Sequence, residues 1–176
     1  MANKFSSWFE GKKCFPLALP LDVTLYKEGK PNVVQPDLLV ICDQENIKED
    51  DTYMGTPTLV VEILSEKTRS RDLIKKLDLY IQSGVEEYWI VNPFAEEITV
   101  YWFKEREIEN STTFKKGERA ASFVFPGLGI DVNAGSLVNE RTKKGGPAGK
   151  LTAFDMARDW RLGAGVFAKV YVGSVG

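Results

Sequence analysis

The sequence predicts an α/β fold: a central mixed β-sheet, helices packed against it and an exposed β-hairpin. Two observations carry this. Residues 38–42 (LLVIC), 59–64 (LVVEIL) and 88–91 (YWIV) are short apolar runs with the length and side-chain types of strands, and a helical segment at 70–83 separates the last two. Residues 85–91 and 97–103 flank an Asn92-Pro93 break and make an antiparallel hairpin.

Composition bounds the function. The chain has 176 residues, which suits one domain. Its 43% hydrophobic and 27% charged residues are ordinary for a water-soluble globular protein. No apolar run approaches the ~20 residues that span a bilayer, and the first residues, MANKFSSWFEGKK, contain no apolar leader core. A cytoplasmic protein with no membrane partner is expected. Cys14 and Cys42 lack a metal or redox spacing and read as buried, reduced thiols. There is no histidine. That removes histidine triads, imidazole-based zinc sites and nucleases with a histidine base. Residues 1–133 hold 22 of the 25 acidic but 16 of the 23 basic residues, so the tail is net basic. Such a tail is more often solvated than bound to phosphates.

In chain order, residues 2–10 read as the end of a helix, with Phe5, Trp8 and Phe9 on one side and Gly11 as its stop. Residues 14–21 carry Pro16 and Pro20 and suit an edge strand. Residues 22–26 alternate as a half-buried strand, and 27–32 form a turn. Residues 33–42 run into the sheet, with the strand proper starting near Asp37 because Pro36 cannot donate to a ladder. The acidic stretch 43–53 reads as a solvated loop without calcium-loop spacing. The helix at 70–83 turns Leu73, Ile74, Leu77 and Ile81 toward the sheet and ends at Gly84. Residues 105–116 read as polar connection, and 120–124 and 128–132 as short strands around Pro126-Gly127. Beyond Asn133 the pattern dissolves into a linker at 142–149, a short helix at 153–160 and a weak strand at 166–172.

The chemistry sits in the middle of the chain. Asp37 stands just before the first apolar run, and Glu62 interrupts the second. A buried carboxylate is costly unless it is paired or binds a metal. Pairing with a core Lys or Arg is about as common an explanation as function. Asp72, Lys76 and Tyr80 follow at i, i+4 and i+8 on one helix face, where a surface Asp72–Lys76 ion pair is the plain alternative. Spacing leaves open whether Lys75 or Lys76 points inward. Two carboxylates and an ammonium around a sheet are what a metal-dependent phosphodiesterase needs.

These residues resemble a family. Pro36-Asp37, then Val61-Glu62-Ile63-Leu64-Ser65, then Asp72-x-x-x-Lys76-x-x-x-Tyr80, then Gly84-Val85-x-Glu87-Tyr88-Trp89-Ile90-Val91 are similar to the Uma-two family of restriction-endonuclease-like proteins, within the PD-(D/E)xK nuclease superfamily. Phe125-Pro126-Gly127-Leu128 resembles that family's C-terminal strand pair. The superfamily's lysine normally follows the acid by two residues. Leu64 stands there, so the resemblance moves that role to Lys76.

The resemblance implies a restriction-endonuclease-like domain at 1–133, starting near the end of the family's long helix with earlier elements missing, and a tail at 134–176 of no assigned role. It implies an endonuclease cutting DNA, or an inactive relative used for nucleic-acid binding or assembly. Asp37, Glu62 and the backbone carbonyl of Ile63 would hold Mg²⁺ or Mn²⁺. Lys76 would act on the water or the phosphate, with Asp72 and Tyr80 holding it in place. A homodimer is expected, with Tyr88, Trp89, Tyr101 and Trp102 of the hairpin as candidates to cover its interface and core packing the commoner role for at least half of them.

Overall fold

The computed structural model describes residues 1–18, 21–65 and 70–133; the linker, helix and strand expected at 142–149, 153–160 and 166–172 lie outside the described residues. The elements are α1 (Ala2–Phe9), β1 (Phe15–Leu17), β2 (Asp22–Lys27), β3 (Lys30–Val34), β4 (Leu38–Ile41), β5 (Thr52–Tyr53) and β6 (Leu59–Ile63), followed by α2 (Ser70–Ser83), β7 (Glu87–Asn92), β8 (Glu97–Lys104), β9 (Glu107–Lys115), β10 (Arg119–Ala121) and β11 (Gly129–Asp131). Six strands form one mixed sheet in the order β1-β4-β6-β7-β8-β9. Strands β6 and β7 are parallel, because α2 carries the chain back across the sheet between them. The other neighbours in this sheet are antiparallel.

Both faces of the sheet are covered, which is why its central strands read as continuous apolar runs. Side chains alternate between the faces. Leu39, Ile41, Val60 and Tyr88 pack under α2 and the three-stranded sheet β3-β2-β5. Leu38, Val40, Leu59, Val61, Trp89 and Val91 pack under α1 and the β10–β11 pair. Phe5 and Phe9 of α1 are fully buried, and Phe5 meets the Trp89 ring edge-on at 5.7 Å. Tyr88 and Trp89 are also fully buried, so neither can lie in an interface between copies. Tyr101 and Trp102 are half-buried, stacked on Tyr88 and Phe123 respectively.

Several expectations shift. Turn 27–32 contracts to Glu28-Gly29, both at positive φ, so β2 and β3 pair directly through Lys27 and Lys30. The long run 33–42 splits at Gln35-Pro36 into β3 and β4. The stretch 105–116 is largely strand β9, joined to β8 through Glu105-Arg106. Most of β9 is exposed on both faces, so its sequence shows no apolar alternation. The acidic stretch 43–53 holds a short 3₁₀ turn at Gln44–Asn46 and strand β5. Asp43 organises it, accepting from the Tyr53 hydroxyl at 2.5 Å and from Asn46 Nδ2 at 2.7 Å. A Cβ at Gly55 would collide with both Asp43 and Tyr53. In α2, Leu77, Leu79, Tyr80 and Ile81 face the core, and Ile74 points outward at 67% exposure, against the expectation.

The cysteines are the clearest correction. Cys14 and Cys42 are joined in a disulfide, with their Cα atoms 4.1 Å apart. Both are half-buried, and neither is a free thiol. The β1–β4 register, Phe15 opposite Ile41, carries one step further to set Cys14 opposite Cys42. Antiparallel neighbours of this kind are close enough to bridge. Sequence spacing could not reveal this, because it depends on which strand β1 joins.

A second finding was not expected. Glu87 is fully buried on the α1 face, yet it is an acid. The Trp89 indole donates to one of its oxygens. The other accepts from Phe123 N at 2.7 Å, Val124 N at 2.9 Å and the Ser122 hydroxyl at 3.1 Å. The carboxylate therefore pins the chain after β10 against the sheet. Burial pushes its pKa up, against the opposing pull of these donors.

Two stability predictions follow from these contacts. Glu87→Ala strands four donors, and the expected loss is about 3 kcal/mol of unfolding free energy in urea titration; a loss under about 0.5 kcal/mol would mean that Glu87 does not hold the segment. Cys14→Ser opens a bridge between residues 28 apart, and the expected loss is about 3 kcal/mol. Thiol titration of the denatured, unreduced wild type should find no free thiol, and two reactive thiols would refute the bridge.

Candidate active site

The acids meet through strand register. Leu38 of β4 lies opposite Val61 of β6. One step further along the same register sets Asp37 against Glu62. Asp37 Oδ2 accepts a hydrogen bond from Ile63 N at 2.8 Å, which ties the acid to the neighbouring strand. Glu62 alternates with Val61, so it shares the face of Val60, the face that α2 covers. The ladder thus sets Asp37 and Glu62 side by side.

Helix α2 completes the group. Lys76 and Tyr80 lie one turn apart on its inner face. Lys76 Nζ reaches Glu62 Oε1 at 2.7 Å, and the buried Tyr80 hydroxyl donates to the same oxygen at 2.7 Å. Lys76 is therefore the inward lysine; Lys75 is exposed. Asp72, one turn earlier, is exposed at the rim and forms no ion pair with Lys76 among the described residues. Tyr80 thus touches the acid directly, rather than acting through the lysine as the sequence suggested.

A cleft of about 310 Å³ opens over this group, lined by Glu62, Ile63, Leu64, Ser65, Asp72, Leu73 and Lys76. Glu62 is 6% exposed at its floor. Burial drives the Glu62 pKa upward, Lys76 and Tyr80 pull it back, and the nearby Asp37 charge raises it further. Burial and the Glu62 charge push the Tyr80 hydroxyl strongly up, so it remains a donor. Tyr88 packs against Tyr80 with tilted rings 4.9 Å apart, and its buried hydroxyl has no hydrogen-bond partner among the described residues. The sequence assigns Ser65, Leu73 and Tyr88 no role at the site: Leu73 reads as core-facing and Tyr88 as core or interface. Only the fold brings them beside the acids.

The donor chemistry is hard oxygen throughout. Among the described residues no three acidic or cysteine side chains gather closely enough to cage an ion. Two carboxylates suit Mg²⁺ or Mn²⁺, which keep several waters, better than they suit calcium or zinc. Leu64, just past the end of β6, lines the cleft from the sheet side, and Lys76 lines the same cleft from the helix.

Comparison with known proteins agrees with this architecture. The family model Uma2, described as "Putative restriction endonuclease", matches residues 1–133. No curated protein sequence matches the chain. Among solved structures, a "putative nuclease belonging to DUF820" from Anabaena variabilis ATCC 29413 superposes with a TM-score of 0.61. That likeness covers 76% of this chain and 74% of the other at 17% identity, and it speaks for the fold. The family match spans Asp37, Glu62, Lys76 and Tyr80 together with both layers that cover the sheet, and the chain belongs to the Uma2 family of restriction-endonuclease-like proteins.

Proposed function

We propose that this protein is a metal-dependent endonuclease that hydrolyses DNA phosphodiester bonds at the Asp37–Glu62–Lys76 cleft. The observation that carries the reading is the convergence of two acids and an ammonium, from the residue before β4, from β6 and from α2, in a family of restriction-endonuclease-like proteins. Asp37 and Glu62, with the Ile63 carbonyl, would hold Mg²⁺ or Mn²⁺. Such an ion would supply a more acidic water and polarisation of the scissile phosphate.

The side chains supply the rest. Asp37 and Glu62 set where that water and phosphate lie, because both are fixed by their strands. The Ile63 amide orients Asp37, and the Tyr80 hydroxyl orients Glu62. The Lys76 ammonium orients the water or offsets the charge that builds on the phosphate. Asp72 lines the same cleft one turn before Lys76 and would offer the ammonium a second carboxylate there. No helix among the described residues is long and apolar enough to cross a membrane.

Two experiments test this. Thermal unfolding with Mn²⁺ should show a rise in melting temperature, because a ligand of the folded state stabilises by mass action; the rise should vanish in Glu62→Ala and Asp37→Ala. On supercoiled plasmid, Lys76→Ala should slow Mg²⁺-dependent nicking by about 100-fold. Absence of both metal stabilisation and cleavage in the wild type would instead indicate an inactive relative whose ion pair is structural.

A further inference from the structure

The Lys76–Glu62 ion pair occupies the region where a divalent cation would sit. Resting on the metal-dependent reading above, we propose that Lys76 is the counter-ion of Glu62 in the metal-free protein. It and a divalent cation then act on Glu62 antagonistically, so that metal binding turns the ammonium out into the cleft, toward the substrate phosphate.

Glu62 and Asp37 are adjacent across the ladder, and Glu62 has almost no solvent to screen it. In the metal-free protein the ammonium at 2.7 Å answers that charge. A Mg²⁺ or Mn²⁺ ion sits about 2 Å from a carboxylate oxygen. On the Glu62 oxygen that Lys76 contacts it would stand within roughly 5 Å of that ammonium, and at such distances like charges repel strongly in a partly buried site.

The two ligands of Glu62 are not equally free to leave. Tyr80 is fully buried and has nowhere to go. The Lys76 side chain is 34% exposed and borders the cleft on a flexible four-carbon stem. It can swing outward while Tyr80 keeps Glu62 in place. Asp72, exposed one turn earlier on the same helix face, offers the released ammonium another carboxylate at the rim. A lysine on the strand itself would be held beside the metal. A lysine on the helix can serve as counter-ion first and meet the phosphate afterwards. The coupling is reciprocal: the Lys76–Glu62 pair weakens metal binding by the same factor as the metal weakens the pair.

The test is Mn²⁺ titration by calorimetry, without nucleic acid, of wild type, Lys76→Met and Lys76→Arg, together with their metal-free melting temperatures. Lys76→Met should bind Mn²⁺ about tenfold more tightly, while its metal-free form melts lower than wild type. Lys76→Arg keeps the charge and should bind as wild type does. If Lys76→Met does not fold without metal, Lys76→Gln carries the same expectation. Mn²⁺ binding by wild type with equal or weaker binding by Lys76→Met overturns the counter-ion role and leaves the metal-dependent reading standing. No Mn²⁺ binding by any variant overturns both.

Discussion

The fold turns on one electrostatic constraint: a carboxylate 6% exposed in a strand of branched aliphatics must have its charge answered. Glu62 is that carboxylate, and α2 answers it with Lys76 and Tyr80. The pairing sets the rotation of α2 on the sheet. With Lys76 and Tyr80 directed at Glu62, Leu77 and Ile81 turn into the core and Ile74 turns out. Electrostatics thereby overrides hydrophobicity at one position, leaving an isoleucine in water so that a lysine can face the sheet.

The protein buries a second glutamate, and the contrast is instructive. Glu87 lies two strand positions before Trp89 on the opposite face. Four donors satisfy it, two of them backbone amides, and no cation is among them. Such a carboxylate fastens a segment and has little capacity left for a ligand. Glu62 receives both its hydrogen bonds among the described residues on one oxygen, from partners of unequal mobility, at the floor of a cleft. Burial raises the pKa of both acids, so the shift by itself does not separate a fastener from a site. What separates them is where the donors come from and whether one of them can leave.

Much of this was legible in the sequence. The central strands, α2, the β7–β8 hairpin and the acids Asp37 and Glu62 announce themselves, because buried strands interrupted by acids are costly and therefore informative; Lys76 was separable from Lys75 only through the family resemblance. Elements with two wet faces do not: β9 carries no alternation for a reader to find. Neither do pairings that depend on register. The Cys14–Cys42 bridge exists because β1 lies antiparallel to β4, a choice made by tertiary packing. Glu87 was visible as a letter, but three of its four partners lie 35 to 37 residues away along the chain, beyond any local pattern.

The placement of the lysine has a structural consequence. Position 64 is two residues beyond Glu62, where strand alternation returns to the same face, yet a leucine stands there. The ammonium instead arrives from a helix whose seat depends on packing by Leu77, Tyr80 and Ile81. Its location is therefore a property of helix docking as well as of one side chain. Tyr80 joins the two requirements, since its ring packs in the core and its hydroxyl holds Glu62. The contacts that seat α2 on the sheet are in this way the same contacts that bring the cation to the acid.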